Sequence, residues 1–268
     1  MFKHCVLGVD FSENWDQALS MLPTLAKNLG IERLTLVYVD ELHRWQRKKA
    51  EESQSRDVQL AHLEQELNEK MPFKVSHQLR EGFPASELLR SAADLGADAV
   101  IVTNRSHSPA RELFLGNVSL NVARMARLPV VVLPVEAEPE TTSGPIILAT
   151  DGSDAARGAE TVFGRLLRGE QSGQILLVEN EDDAAAGRDL KGHIDSIAQT
   201  FDRDVVARSV AGLEPAEVIV ETAAKEKAAM IVIGKRGHTP IKELMLGSTA
   251  EQVCRLSQNP VLLVPRRP

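Results

Sequence analysis

The chain has 268 residues, 43% apolar and 26% charged, with a net charge of −7. That composition can bury one large core or two ordinary ones, and its acidic balance argues against a broad nucleic-acid footprint. Cys5 and Cys254 lie among apolar residues, so small buried thiols are expected rather than a disulfide, and no apolar run reaches membrane-spanning length or forms a signal core, which leaves the cytoplasm as the expected compartment.

In chain order, "CVLGV" has the length of a strand. The segment after it spaces Ala18, Met21, Leu22, Leu25, Ala26 and Leu29 by three and four, closing at Gly30, which predicts an amphipathic helix with a kink or early turn at Pro23. "LTLVYV" is the next strand. The charged stretch from His43 to Pro72 predicts a partly solvated helix with Val58, Leu60, Leu63 and Leu67 on a narrow apolar stripe. "FKVSHQL", "DAVIVT" and "PVVVLP" are strands. "IILAT" follows, then a helix carrying Ala155, Ala156, Ala159, Val162, Phe163, Leu166 and Leu167 and ending near Gly169. "QILLVE", "DVVARSV", "AMIVIG" and "PVLLVP" complete the strands. Runs this apolar, alternating with helices, predict parallel sheets covered on both faces, which bind ligands at the carboxyl ends of their strands.

The chain repeats itself. "TNRSHSPARELFLGNV" (Thr103 to Val118) is a blurred copy of "GKRGHTPIKELMLGST" (Gly234 to Thr249) at an offset of 131 residues. "CVLGVDFSE" pairs with "ILATDGSDA", "LVYVDE" with "ILLVEN", "EGFPASELL" with "AGLEPAEVI", and "LPVVVLP" with "NPVLLVP", in the same order. Between the copies, "VEAEPETTSGP" has linker composition. The division expected is a first domain over 1–135, a linker over 136–144 and a second domain over 145–268.

The copies differ at glycines. Gly234 and Gly237 lie in the exit loop of a strand, where they would let the backbone turn and approach a ligand. Gly247 and Ser248 open the next helix, with Ser248 or Thr249 near its N-cap, and offer N–H groups, a hydroxyl and the positive helix end to an anion. Together they predict a phosphate cradle that is neither a Walker loop nor a G-x-G-x-x-G fingerprint. In the first copy Thr103, Ser106 and Asn117 replace Gly234, Gly237 and Ser248, so that half is expected to admit no nucleotide.

This pattern, Gly234, Gly237, Gly247 and Ser248 with "TDGS" at Thr150 to Ser153 and the closing "NPVLLVP", resembles the universal stress protein family in its tandem two-domain form. The resemblance implies an α/β fold of two open five-stranded parallel-sheet sandwiches, strand order 3-2-1-4-5, like that of the adenine nucleotide alpha-hydrolases. It implies ATP binding where the glycines are kept, with Mg²⁺ bridging phosphate oxygens, in a regulatory stress-response module whose hydrolysis is slow at most. Carried over by residue, Ala149, Thr150 and Asp151 would face the adenosine, and Asp151 would meet ribose or a metal. The backbone of Val178 would meet the adenine edge and Ile233 the base, while Gly234, Gly237, Gly247, Ser248 and Thr249 would hold ribose and phosphates. It also implies pairing through the last strands, here "PVVVLP" with "PVLLVP" within one chain, and leaves a homodimer open.

Plainer roles stand beside these. Asp151 could cap the helix beginning near Ser153, and His107 and His238 could be ordinary loop residues near Pro109 and Pro240. Two other functions stay open: a nucleotidyl-transfer enzyme of the related fold, for which no second-substrate loop, metal cluster or Ser/His/Asp set is found, and a ligand-free interaction scaffold, which suits the first half better.

Overall fold

Each apolar run named above becomes a strand. The computed structural model describes residues 1–12, 15–41, 48–104, 116–135, 143–167, 172–179, 190–199, 205–211, 214–237 and 245–266. In the first half β1 (His4–Val9), β2 (Arg33–Asp40), β3 (Lys74–Glu81), β4 (Ala99–Thr103) and β5 (Val130–Leu133) alternate with α1 (Trp15–Ser20), α2 (Leu22–Leu29), α3 (Lys48–Lys70), α4 (Pro84–Asp94) and α5 (Asn117–Met125). In the second half β6 (Ile146–Thr150), β7 (Gly173–Glu179), β8 (Val205–Ala211), β9 (Met230–Gly234) and β10 (Val261–Val264) alternate with α6 (Arg157–Leu166), α7 (Leu190–Gln199), α8 (Pro215–Lys225) and α9 (Ser248–Leu256).

The strands form one sheet in the order β3-β2-β1-β4-β5-β10-β9-β6-β7-β8. Read inward from either edge, this is the order 3-2-1-4-5 twice, with parallel pairing inside each half. The seam between the halves is antiparallel: Val261, Leu262 and Leu263 of β10 stand opposite Val132, Val131 and Val130 of β5. All six are buried, so two four-residue strands that would otherwise present apolar edges cover each other.

Alternation along the strands builds two cores. Cys5, Leu7 and Val9 of β1 join Leu34 and Leu36 of β2 under α1, α2 and α3, while Val6, Val37 and Val39 face the opposite way under α4 and α5. Ile146 and Leu148 against Ile147 and Ala149 repeat this division in β6. Cys5 and Cys254 are free and buried on opposite faces; burial pushes the Cys5 thiol up to about 12 and the Cys254 thiol higher still, so both are packing groups.

Three local expectations are refined. Pro23 is the second residue of α2, and the break at Met21 separates α2 from α1; the ring removes the amide that a continuous helix would need. Gly30 then closes α2 in the left-handed region, with φ 73°. On α3, Leu60, Leu63 and Leu67 are buried but Val58 is exposed, because a step of two residues carries a side chain well off a stripe spaced by three and four. The helix after β6 starts at Arg157 and not near Ser153, with Ala156 at its N-cap.

Candidate nucleotide site at the carboxyl ends of β6 and β9

Two adjacent central strands end together. Ala149 of β6 is the register partner of Ile233 of β9, and both are buried, so the residues that follow, Thr150 and Asp151 on one side and Gly234 to Gly237 on the other, leave the sheet side by side. Val178 pairs with Val210 near the end of β7, the next strand outward.

The turn after β6 is tightly specified. Asp151 Oδ1 accepts the Ser153 amide at 3.0 Å, and Ser153 Oγ accepts the Ala156 amide at 3.2 Å. Gly152 between them has φ 68°, a conformation that disfavours a Cβ. The buried Thr150 hydroxyl accepts the Gly152 amide at 3.2 Å and donates to Glu160 Oε1 on α6 at 3.0 Å. Asp151 therefore shapes an Asx turn rather than capping α6, which starts later.

Opposite that turn lies the glycine loop. A Cβ added at Gly237 would collide with Asp151 Oδ2, and one at Gly234 would stand 3.0 Å from the Arg236 carbonyl and 3.4 Å from Ala156 Cα. Both glycines thus lie in close approach to their neighbours, and neither has a positive φ. At the far end of the loop Gly247 is itself the N-cap of α9, with φ −64° and ψ 144°, and no side chain caps the helix; the expected capping by Ser248 or Thr249 is not what is built. Ser248 is exposed and Thr249 half-buried in the first turn, where helix geometry leaves the leading N–H groups without intrahelical acceptors. The Gly247 amide donates to the Lys235 carbonyl at 2.8 Å, and Arg236 Nε donates to the Met245 carbonyl at 3.3 Å, tying together the stems of the loop. His107, Ser106 and His238 lie outside the described residues.

Nine of the ten residues read from the sequence, all but Val178, fall on β6 or β9, in the turns that leave those strands, or at the start of α9. Asp151 and Gly237 are brought into direct opposition. Sequence reading missed Gly152, Glu160 and Lys235 as parts of this site. The first was legible as a glycine between an Asp and a Ser, two turn formers; Glu160 carried no signal of its own, since its role appears only once α6 is folded beside β6.

The first half shows what the same frame looks like when altered. Asp10 Oδ1 accepts the Ser12 amide at 3.0 Å, the same turn as at Asp151, which aligns Asp10 with Asp151 and shifts that repeat block by one residue. Phe11 then stands where Gly152 does, with φ 49°. Its ring lies 5.7 Å from that of Tyr38, and the Arg56 guanidinium of α3 sits 5.4 Å from both ring centres. Val9 and Leu19 replace Thr150 and Glu160. Gly116 keeps the N-cap geometry of Gly247, with φ −56° and ψ 147° before α5.

Comparison with known proteins identifies the family. The model of the universal stress protein family matches residues 1–134 and 166–265. The chain belongs to that family. It is similar to a universal stress protein of Mycobacterium tuberculosis, 26% identical over 212 residues that make up 69% of this chain and 70% of that one. A shorter stretch of 52 residues, 19% of this chain, is 46% identical to a universal stress protein of Methanocaldococcus jannaschii and covers 31% of it. The crystal structure of a universal stress protein from Archaeoglobus fulgidus superposes with a TM-score of 0.80 at 22% identity, over 100% of both chains; at that identity it speaks for the fold. The chain is thus a universal stress protein in tandem form, with two copies of one α/β unit joined in a single sheet. No helix among the described residues is long and apolar enough to cross a membrane.

Proposed function

We propose that this universal stress protein binds ATP in its second half, over 145–268, and acts as a cytoplasmic regulatory module of the stress response. The first half, over 1–135, is structural, joined to the second by a linker over 136–144. The observation that carries this reading is the opposition of the Asp151 carboxylate to Gly237, where an added Cβ would displace Oδ2, beside the N-terminus of α9, whose N-cap is a glycine. Glycine backbone and the leading N–H groups of a helix suit phosphates, and the carboxylate of Asp151 beside them suits ribose hydroxyls or a metal ion. In this reading Ala149, Thr150, Val178 and Ile233 lie toward the adenosine, and Gly234, Gly237, Gly247, Ser248 and Thr249 toward the phosphates.

Among the described residues no three His, Cys, Asp or Glu side chains gather into a metal site, so Mg²⁺ would arrive with the nucleotide, with Asp151 as its protein carboxylate. Slow hydrolysis at most is part of the proposal. The two halves of one chain then play the parts of two subunits, paired through β5 and β10.

Calorimetry on the intact chain tests the proposal. We expect one ATP per chain, with affinity on the order of micromolar, about −8 kcal/mol. Two equal sites per chain, or no heat of binding, would refute it.

A further inference from the structure

Lys235, the second residue of the glycine loop, reaches in three directions. Its amide donates to the Val264 carbonyl of β10 at 2.9 Å, and its carbonyl accepts the amide of Gly247, the N-cap of α9, at 2.8 Å. Its side chain crosses the seam between the halves. Lys235 is only 4% exposed, and Nζ donates to the Ala126 carbonyl at 2.6 Å and to the Arg124 carbonyl at 3.3 Å, at the end of α5 in the first half. The last carbonyls of a helix have no acceptor role inside it, and the negative end of the helix dipole attracts a cation, so a lysine here satisfies groups that the first half leaves open.

The relation is one-way. Asn104 occupies the equivalent place after β4; its amide likewise donates to Leu133 at 2.8 Å, but its side chain stays within its own half, with Oδ1 accepting the Val135 amide at 3.2 Å. A buried ammonium that spans two domains costs desolvation, and a shorter polar residue already serves at the matching position. The same seam carries one more asymmetric tie, Arg124 Nη2 to Glu251 Oε2 at 3.1 Å, from α5 to the first turn of α9.

We infer that Lys235 is a positioning residue that couples the glycine cradle to α5, so that filling the cradle is felt in the first half. The coupling to ligand rests on the nucleotide reading above; the mechanical link does not. Both ends of the cradle, Gly234 and Gly247, are bonded or adjacent to Lys235, and a ligand that fixes them fixes the lysine's anchor on Arg124 and Ala126.

Hydrogen exchange on the intact chain provides the test, comparing wild type with Lys235→Met, which keeps the length without the donors, and Lys235→Asn, which installs the residue of the first half. Without nucleotide, both variants should exchange about tenfold faster at the Ala126 amide, bonded to Val122, and at the Gly247 amide. Wild-type rates at both amides in either folded variant would overturn the link. With ATP, the α5 end should be protected in wild type and unaffected in the variants. A wild type that binds ATP with no change at α5 would overturn the coupling. A wild type that binds no ATP by calorimetry would instead sink the nucleotide reading, leaving the link to be decided by the nucleotide-free arm.

Discussion

The two halves share a frame and differ in what stands at the strand ends. Both have an aspartate closing an Asx turn, at Asp10 and Asp151, a left-handed residue after it, and a glycine N-cap on the last helix. In the second half the left-handed residue is Gly152 and the neighbouring loop is bare enough for Gly237 to touch a carboxylate. In the first it is Phe11, held between Tyr38 and the Arg56 guanidinium. The turn is common to both halves and so belongs to the fold, whereas Gly152 and Gly237 are found only in the second. A phenylalanine in the left-handed region costs about 1–2 kcal/mol, and the first half tolerates it because ring and cation contacts, each about 0.5–1 kcal/mol or more, offset the strain.

What the halves hold in common should be the most damaging thing to remove. Leu262 is fully buried at the seam, opposite Val131. Leu262→Ala should lower stability by about 3 kcal/mol through lost burial and the cavity left behind, measured as a shift of the urea midpoint. If the halves were held together elsewhere and the seam could collapse, the loss would be well under 2 kcal/mol. Val58→Ala, on an exposed site, is the matching control and should change stability by no more than about 0.5 kcal/mol.

The aspartates separate frame from ligand. Asp151→Ala should weaken ATP binding by roughly a hundredfold, about 2.8 kcal/mol, because it removes both the turn acceptor and the group facing Gly237. Asp10→Ala removes the same turn acceptor in the first half and should leave ATP affinity within about twofold, since the proposed site lies in the other half. Calorimetry on the two variants reads the contrast directly; equal losses would erase the distinction between the halves.

Much of this was legible in the sequence. The ten described strands were, because most of them read as apolar runs of strand length between helical stretches, and so were Gly234, Gly237 and Gly247, because glycines at a strand exit and helix entry carry a backbone meaning. What escaped were features set by a partner distant in the chain. Gly237 was expected to be bare for a ligand, yet the atom it first makes room for is Asp151 Oδ2. Val58 was misplaced because a narrow stripe on a charged helix leaves its limits unmarked. Lys235 sat in plain view inside "GKRG", but only the seam shows where its ammonium goes.

Exchanging the left-handed residues sharpens the comparison further. Gly152→Phe should cost about 1–2 kcal/mol of stability from the backbone alone, since no Tyr38 and Arg56 pair waits there: Leu177 holds the register place of Tyr38. It should also weaken ATP binding at least tenfold by crowding the proposed site, about 1.4 kcal/mol. Phe11→Gly relieves strain but gives up the ring contacts, so its net effect on stability should lie within about 1 kcal/mol. Urea unfolding of both variants checks this; a Gly152→Phe protein as stable and as tight-binding as wild type would mean that the turn is not part of the site.

The smallest expected effect concerns the charge on Lys235. Burial, aided by neighbouring Arg236, lowers its pKa from 10.5 to about 8. The folded chain therefore sheds this proton near pH 8 while the unfolded chain keeps it to about 10.5, so in that window the unfolded state binds more protons and stability rises with pH. Below pH 8 the cost of the buried charge is fully present. A shift of this size corresponds to at most about 3 kcal/mol, and the Arg124 and Ala126 carbonyls at the end of α5 hold part of it back, leaving a gain on the order of 1 kcal/mol. Other groups titrate in the same range, so the quantity to measure is the difference between wild type and Lys235→Met in urea unfolding at pH 8 and pH 10. Wild type should gain on the variant as the pH rises. A difference that stays flat would mean that the ammonium is as comfortable at the seam as in water, and that the carbonyls of the first half compensate the whole cost of carrying a charge from one domain into the other.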